Sequence, residues 1–396
     1  MIQKKIVLGL GNNIDYEVKW DSIVLESLIN KYDVHENDLI SPKEIKTEKD
    51  LLLSILTFLK EGTGGERFVC SAQTIEDFSA YFQKKVTLGG TSVRAALAME
   101  KFGVKSDLHL VTMNDDVKKL LPKNCNYICS ATQDSCYPHL IIQYGAGTKI
   151  KANDIDIISK RSNRLIYVND KENSLMALNS NLSELLKDAN VFLISGFNAM
   201  QDQHLLLNRL NTVIESMTQL PKDAVVFYED GCYHNDELKI LVKDMLFDKI
   251  TVFSMNEDEL QEYVGKKIDL LCVDEVKSAI DKVLNMLKVP ILVIHTQYYA
   301  LIYGENAKDY IKSLQSGILM AATRFKYGDD FTVSDYENMK NNEIQPSSGE
   351  FAAKINDVFK DKLYCIPCYQ LDESNATTIG LGDSFVGGFI LSLAQY

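Results

Sequence analysis

Short apolar segments alternate with helix-forming stretches through the second half of the chain. The apolar segments are residues 191–195, 224–228, 249–254 and 290–295, and ten or more residues of helix-forming sequence follow each one. Strands that alternate with helices pair in parallel through right-handed crossovers, and the helices pack on both faces of the sheet. The pattern therefore predicts an α/β fold with a doubly wound, mostly parallel sheet.

Two regions, residues 15–88 and 136–173, depart from this alternation. We predict that they form a smaller, discontinuous α+β domain that acts as a lid. Residues 1–14, 89–135 and 174–396 are then expected to form the large, nucleotide-binding α/β domain, with the lid contributing to the ligand site.

Two polar segments are predicted to be irregular. Residues 12–16 follow Gly9-x-Gly11, but Ile14 replaces the third glycine of the dinucleotide fingerprint and the segment is typical of a turn. This argues against a nicotinamide-dependent oxidoreductase. Residues 340–350 are rich in Asn, Ser and Glu, and we expect them to form a surface loop.

The charge of the chain narrows the classes of partner. Its 396 residues include 42 Lys and Arg against 55 Asp and Glu, which gives a formal net charge of −13. Nucleic acids and anionic membrane surfaces require a basic face, which this balance disfavours. We therefore expect small-molecule ligands, no nucleic-acid or membrane partner, and a monomer or small homo-oligomer.

The cysteines and the N-terminal segment bear on the cellular compartment. Eight Cys are scattered along the chain without the dense spacing of a disulfide scaffold, which indicates a reducing environment. The apolar run near the N-terminus is too short for a secretory signal peptide. We therefore expect a cytoplasmic protein.

The most informative segment for function is Gly380-Leu381-Gly382-Asp383, which opens an apolar helix rich in small residues. Several backbone N–H groups at a helix start have no intrahelical acceptor, and the helix dipole adds positive potential there. The amides of Gly380, Leu381 and Gly382 would form an anion hole. Asp383 would then accept the proton of a hydroxyl that attacks a phosphoryl group. The alternative is a tight strand-to-helix connection without chemistry.

Carboxylates also follow two of the predicted strands. Glu229 comes directly after the strand 224–228, and Asn256 and Glu259 lie at the start of the helix after the strand 249–254. Ligands of doubly wound sheets bind at the carboxyl ends of strands. Asn256 and Glu259 have capping-box spacing and could also orient waters on Mg²⁺, which binds few protein ligands directly. Simple helix capping is the alternative for these acidic residues.

Asn256-x-x-Glu259 and Gly380-x-Gly382-Asp383, in this order, resemble the paired signatures of the ribokinase-like superfamily of sugar and vitamin kinases. More narrowly, the chain resembles the ADP-dependent glucokinase and phosphofructokinase family over most of its length. The further segments that carry this resemblance are Asn13-Ile14-Asp15, Gly64-Gly65-Glu66, Gly89-Gly90, Asn163-Arg164-Leu165-Ile166, Ser195-Gly196 and His295-Thr296-x-Tyr298-Tyr299.

The resemblance implies roles for the matching residues. Asp383 would be the general base, and Arg164 would bring a positive charge from the lid to the phosphates. Glu229, Asn256 and Glu259 would position Mg²⁺, although Phe227 stands where the family has a histidine two residues before the glutamate. The positions that match the surroundings of the sugar are Asn13, Asp15, Glu66, Gly89, Gly90 and His139.

For three residues of the predicted lid, explanations without a role in catalysis or binding remain open beside these roles. His139 could be a strand-end histidine with a local partner, and Glu66 could be solvated. Arg164 could form a structural salt bridge.

The resemblance further implies ADP as phosphoryl donor, Mg²⁺ as cofactor, and AMP and a hexose 6-phosphate as products. A carboxylate at Glu66 would repel a phosphorylated sugar, so we expect glucose rather than fructose 6-phosphate as acceptor. Two alternatives remain open. One is an ATP- or ADP-dependent kinase of fructose 6-phosphate or another small alcohol, and the other is a catalytically inactive sugar- or nucleotide-binding protein.

Overall fold

The computed structural model describes residues 4–135, 137–233, 235–372 and 377–395. Its strands are β1 (Ile6–Leu8), β2 (Asn13–Val18), β3 (Gly65–Phe68), β4 (Lys84–Gly89), β5 (Asp107–Leu110), β6 (Asn126–Cys129), β7 (His139–Tyr144), β8 (Lys149–Ala152), β9 (Ile155–Ile158), β10 (Asn163–Val168), β11 (Val191–Ile194), β12 (Val225–Glu229), β13 (Val252–Asn256), β14 (Ile291–His295), β15 (Tyr299–Gly304) and β16 (Leu363–Pro367).

The helices lie between these strands, except for the last one, which follows β16. They are α1 (Ser22–Lys31), α2 (Glu48–Glu61), α3 (Ala72–Ser79), α4 (Thr91–Glu100), α5 (Asp115–Leu120), α6 (Lys171–Leu175), α7 (Leu182–Leu186), α8 (Gln203–Met217), α9 (Asp236–Leu246), α10 (Glu257–Val264), α11 (Val273–Met286), α12 (Ile311–Tyr327), α13 (Val333–Met339), α14 (Pro346–Phe359) and α15 (Leu381–Gln395). Among the described residues, none of them combines the length and apolar character that a membrane crossing requires.

The large sheet has nine strands in the order β16-β15-β14-β13-β12-β11-β1-β5-β6. Neighbours from β14 to β6 pair in parallel, and β15 pairs antiparallel with both β14 and β16. The predicted α/β fold with a mostly parallel sheet is confirmed. The expectation that a helix follows 290–295 is wrong, because the next element is the antiparallel strand β15.

Helices cover both faces of this sheet, which explains why its central strands β1 and β11 are apolar throughout. Alternate residues of a strand point to opposite faces. In β1, Val7 belongs to the apolar core on one face, whereas Ile6 and Leu8 belong to the core on the other. In β12, Tyr228 and Phe227 are divided in the same way, and Phe227 packs against Phe389 of α15 with ring centroids 5.2 Å apart.

The small sheet has five strands in the order β3-β10-β7-β2-β4, and the hairpin β8–β9 lies beside it. Its own apolar core includes Leu51 and Ile55 of α2 and Leu165 and Tyr167 of β10. Three of the five strands fall within the predicted lid segments, and the other two, β2 and β4, reach two residues and one residue beyond them. The division into two domains with the boundaries given above stays a prediction.

The turn predicted for residues 12–16 is wrong, and the surface loop predicted for residues 340–350 is irregular only over residues 340–345. Residues 13–18 form β2, which lies between β4 and β7 and is paired with both. Residues 346–350 begin α14, with Pro346 in its first turn, where the missing N–H of proline costs nothing.

The described cysteines are not paired. Cys70, Cys125, Cys129, Cys232, Cys272, Cys365 and Cys368 are free thiols, and Cys136 lies outside the described residues.

Candidate active site

One cleft of about 1530 Å³ lies between the small sheet and the carboxyl ends of β12, β13 and β14. From the small sheet its wall includes Asn13, Asp15, Glu66, His139 and Arg164. From the large sheet and its helices it includes the residues Glu229, Asn256, Glu259, Gly380, Leu381, Gly382 and Asp383. The cleft therefore brings together almost all the residues that the sequence singled out. Gly89 is the exception, since it lies behind Asn13 and Asp15 rather than in the wall.

The glycine turn before α15 is held in a left-handed conformation. Gly380 has φ +65°, which a residue with a side chain rarely adopts. The N–H of Ser384 donates to the carbonyl of Gly380 at 3.0 Å and closes the first helical turn. The N–H groups of the first residues of α15 have no intrahelical acceptor, so they are available to an anion in the cleft.

Three side chains fix the segment that leads into this turn. Arg324 of α12 donates from Nε to the carbonyl of Ile379 at 2.9 Å. From the small sheet, Arg164 donates from Nη1 to the carbonyl of Thr378 at 3.3 Å, and Gln143 accepts from the N–H of Thr378 at 3.3 Å. The turn is thus held from α12 and from the small sheet at the same time.

Asp383 lies in the first turn of α15 and its side chain is 24% exposed in the cleft. Its Oδ2 is 3.7 Å from Nε of Arg94, a buried residue of α4. The carboxylate is therefore accessible to a ligand on one side and faces a positive charge on the other. Such a carboxylate can accept a proton from a ligand hydroxyl.

A cluster of buried acidic groups lies at the ends of β12 and β13. Asn256 caps α10 by accepting from the N–H groups of Asp258 and Glu259, and Glu259 accepts in return from the N–H of Asn256 at 2.8 Å. The predicted capping box is thus present. Burial is the main cause that raises the pKa of Glu259 well above its ordinary value, and the neighbouring Asp230 and Glu229 add to it. Burial likewise raises the pKa of Asp230 to about 7, although Lys239 opposes it.

The two carboxylate oxygens of Glu229 differ in their hydrogen bonding. His295 Nε2 lies 2.9 Å from its Oε1, while its buried Oε2 has no hydrogen-bond partner among the described residues. Burial alone would lower the pKa of His295, but the charge and hydrogen bond of Glu229 outweigh it and raise that pKa. Phe385 stacks on the His295 ring at 4.6 Å and holds it in place.

No group of three or more His, Cys, Asp or Glu side chains in the described part of the chain has the geometry to hold a metal ion directly.

The small-sheet end of the cleft is built on two adjacent strands. Asn13 donates from Nδ2 to Asp15 Oδ1 at 2.6 Å, and both residues are buried. Gly89 is opposite Asn13 in the ladder, and a Cβ there would lie 2.3 Å from Asn13 Nδ2. Only glycine leaves room for these two polar side chains.

The sequence that builds this cleft matches the pattern of a known protein family. The pattern described as the ADP-specific phosphofructokinase/glucokinase conserved region matches residues 4–390. The chain belongs to this family of ADP-dependent sugar kinases. The turn with Asp383, the capping box with Glu259 and the small-sheet residues all fall within the matched range.

Solved structures share the fold of this kinase. A hypothetical ADP-dependent phosphofructokinase from Pyrococcus horikoshii OT3 is 19% identical, with a TM-score of 0.79 over 99% of this chain and 98% of that one. An ADP-dependent kinase solved with fructose 6-phosphate and ADPβS is 15% identical, with a TM-score of 0.75 over 99% of this chain and 94% of that one. At these identities the likeness shows the fold alone. Comparison with curated protein sequences gives no significant match.

Two residues beside the glycine turn were missed from the sequence. Arg94 lines the cleft, and Gln143 contacts the segment before the turn. A signal existed for Arg94, because a long charged residue among the small apolar residues of α4 needs a buried partner. His295 also lines the cleft, but its pairing with Glu229 joins residues 66 positions apart, which no local pattern indicates.

His139 in this kinase has a strong local partner, and we predict a pH-dependent stability from it. Burial alone would lower the pKa of His139, but the hydrogen bond to Asp170 at 3.0 Å and its charge raise it above 6.5. A raised folded-state pKa stabilises the protein fully below pH 6.5, and this stabilisation is lost as the pH rises through that pKa. We expect His139→Gln to lower the free energy of unfolding by about 1.5–3 kcal/mol at low pH.

The measurement is urea unfolding of both proteins between pH 5.5 and 9 without ligands. The difference between wild type and His139→Gln should shrink as the pH rises. The control is His204→Gln, at an exposed position of α8. A difference that stays constant across this range would contradict the assignment.

Proposed function

We propose that this protein transfers the terminal phosphoryl group of ADP to a hydroxyl of a hexose, with glucose as the favoured acceptor, and forms AMP and hexose 6-phosphate. The observation that carries the proposal is the position of Asp383. Its carboxylate is exposed in one cleft that has unpaired helix amides at the same turn and buried polar side chains of the small sheet across from it. A base, an anion site and a hydroxyl-binding surface are the parts that transfer to an alcohol requires.

Each group has a definite task in this proposal. Asp383 accepts the proton of the sugar hydroxyl as that oxygen attacks phosphorus. The N–H groups of Gly380, Leu381 and Gly382 stabilise the charge that moves onto the phosphoryl oxygens, and their direction is fixed before the substrate binds. Arg164 neutralises further charge from the small-sheet side, where it already contacts the carbonyl of Thr378.

The residues at the ends of β12 and β13 fit the Mg²⁺ that the family implies. Glu229 has a buried oxygen without a partner, and burial raises the pKa of the adjacent Asp230 and Glu259, because their charges have no sufficient counterion. A hydrated divalent ion nearby would provide a hydrogen-bond partner for this oxygen and a positive charge for the acidic groups. We propose that Glu229, Asn256 and Glu259 hold it through its waters, since Mg²⁺ retains most of them. When bound, Mg²⁺ would neutralise charge on the diphosphate.

The departure of Phe227 from the family pattern does not disable the cleft. Its side chain is fully buried in the core against Phe389, and His295 from β14 contacts Glu229 instead. The complete glycine turn with Asp383 and the contact of His295 with Glu229 support an active enzyme over a ligand-binding protein without turnover.

The charge of the small-sheet end supports glucose as acceptor. Asp15 and Glu66 contribute carboxylates to the wall, and the guanidinium of Arg94 is already paired with Asp15 and Glu17. A neutral sugar gains hydrogen bonds there, whereas a sugar phosphate would be repelled. Fructose 6-phosphate is the second candidate, because a structural neighbour was solved with it. We also propose a cytoplasmic location, which the free thiols of the described cysteines support.

A donor-by-acceptor matrix tests the proposed function. Purified protein with Mg²⁺ is incubated with ADP or ATP and with glucose, fructose 6-phosphate or other hexoses, and products are separated by chromatography. We expect AMP and glucose 6-phosphate from ADP and glucose. Saturable binding of ADP and glucose without any product would favour the inactive alternative. Transfer only to fructose 6-phosphate would support the kinase function but contradict glucose as the acceptor.

Glu66 offers a sharper test of the acceptor. We expect Glu66→Ala to lower kcat/KM for glucose by about 10- to 100-fold, since a hydrogen bond to a charged group contributes about 1.5–3 kcal/mol. KM for ADP should hardly change, because Glu66 lies on the small-sheet side of the cleft. The control is Glu61→Ala, at an exposed position outside the cleft wall. Unchanged glucose kinetics would show that Glu66 is solvated.

A further inference from the structure

Arg94 occupies an unusual position between the sugar side of the cleft and the base. Its side chain is 5% exposed, in the first turn of helix α4. Nη2 lies 2.6 Å from Asp15 Oδ2 and 3.3 Å from Glu17 Oε1, both on β2. Nε lies 3.7 Å from Asp383 Oδ2 on α15. One guanidinium thus contacts carboxylates from two distant segments of the chain.

The same group also touches the glycine turn. A Cβ on Gly380 would lie 2.8 Å from Nη1 and 2.9 Å from Cδ of Arg94, so the side chain lies directly against the backbone of the turn. The guanidinium is planar and rigid. Its edges therefore define a fixed separation between Asp15, the turn at Gly380, and Asp383.

Burying a charge costs free energy unless the charge is fully paired, so the buried guanidinium of Arg94 requires carboxylate partners. Burial alone would lower the pKa of Arg94, but the carboxylates of Asp15, Asp383 and Glu17 raise it, so the group stays charged. Asp15 and Glu17 already supply the close partners. The contact to Asp383 is longer, and that carboxylate keeps an exposed side in the cleft. It is oriented by Arg94 without being withdrawn from the ligand.

We propose that Arg94 is a positioning residue that holds the Asp383 carboxylate and the sugar-binding Asp15 in a fixed relation, so that a sugar bound at Asp15 presents its hydroxyl to the base. The inference rests on the proposed function and adds to it a residue that links acceptor binding to proton removal. The positioning requires the fork of arginine. Lysine would supply one charge but only a single point of contact.

The test compares Arg94→Lys with wild type by steady-state kinetics. We expect kcat to fall about 100-fold, since a displacement of about 1 Å between reacting groups has an effect of this size. KM for the sugar should rise several-fold, while KM for ADP should stay within about twofold of wild type. The matched control is Arg67→Lys. Arg67 donates to Ser41 and to the carbonyl of Pro42 outside the cleft wall, so its kinetics should not change.

A second variant separates positioning from folding. Arg94→Ala leaves Asp15 and Glu17 without their buried partner, and free guanidinium at millimolar concentration should restore part of its kcat by entering the space. Circular dichroism and thermal unfolding are measured on each variant. Wild-type kcat for Arg94→Lys, or a kcat that falls only with the folded fraction, would overturn the inference. So would a failure of Arg94→Lys to fold, because Arg94 would then serve stability alone.

The two proposals fail in different ways. Absence of phosphoryl transfer in the wild-type matrix would reject the kinase function. Wild-type transfer that is lost in Asp383→Asn but kept in Arg94→Lys would retain the function and reject the role of Arg94.

Discussion

Asp383→Asn is expected to lower kcat by about 10³-fold, the typical contribution of a general base to proton transfer. Asparagine has nearly the same size and can form hydrogen bonds with the sugar, but its amide cannot take the proton of the attacking hydroxyl. Because Asp383 is 24% exposed in the cleft and its backbone lies in the first turn of α15, the substitution leaves the anion site in place. KM for ADP and for the sugar should therefore change little. The measurement is initial-rate kinetics with AMP detection.

The control for this variant concerns helix stability. An acidic residue in the first turn stabilises a helix by about 0.3–1 kcal/mol through its dipole, and Asp383→Asn removes this contribution as well. Asp236→Asn removes an acidic residue from the first turn of α9 at an exposed position, away from the cleft wall. It should lose a similar amount of stability and retain full activity. Retained turnover in Asp383→Asn would remove this residue from the role of base.

Gly380→Ala is expected to lower kcat by about 10²- to 10³-fold, an effect comparable to the loss of one preorganised hydrogen-bond donor. Two physical causes act together. The left-handed backbone at φ +65° costs about 1–2 kcal/mol for a residue with a Cβ. The new methyl group would also lie 2.8 Å from Nη1 of Arg94. The turn or Arg94 must move, and either displacement redirects the amides that face the phosphoryl group.

Gly103→Ala separates these two causes. Gly103 has φ +72°, and a Cβ there meets no atom within 4 Å, so the substitution brings the backbone strain without the collision. Gly103→Ala should lose only the stability that the backbone strain costs, Gly380→Ala should lose at least as much in urea unfolding, and only Gly380→Ala should lose activity. Equal and full activity of the two variants would show that the amides of this turn do not contribute to transfer.

The fold could be predicted where local patterns and tertiary environment agree. Strands such as β11 and β14 are buried on both faces, so they are continuous apolar segments that stand out from the helices between them. β2 was predicted as a turn because it contains Asn13 and Asp15. In the structure these polar side chains are buried and hydrogen-bonded to each other, and Asp15 also accepts from Arg94. Their polarity reflects the site that they build, and it masks the strand.

The candidate site likewise contains some features that local sequence identifies and some contacts that it does not. The capping box of α10 and the glycine turn of α15 each lie within four consecutive residues, so spacing alone identifies them. The pairs Arg94 with Asp15 and His295 with Glu229 join residues 79 and 66 positions apart. No local pattern specifies which of several charged residues meet across such a distance.

By itself, the sequence determined the mostly parallel α/β architecture, the glycine turn that opens the last helix, and the carboxylate of Asp383 in its first turn. These features depend on backbone geometry and on side chains within one or two helical turns, which neighbouring residues control directly. Only the tertiary structure decided that β2 is a strand, that Arg94 lies between Asp15 and Asp383, and that His295 supports Glu229. Those contacts exist because folding brings distant, individually costly charges into one cleft, where each compensates the burial of another.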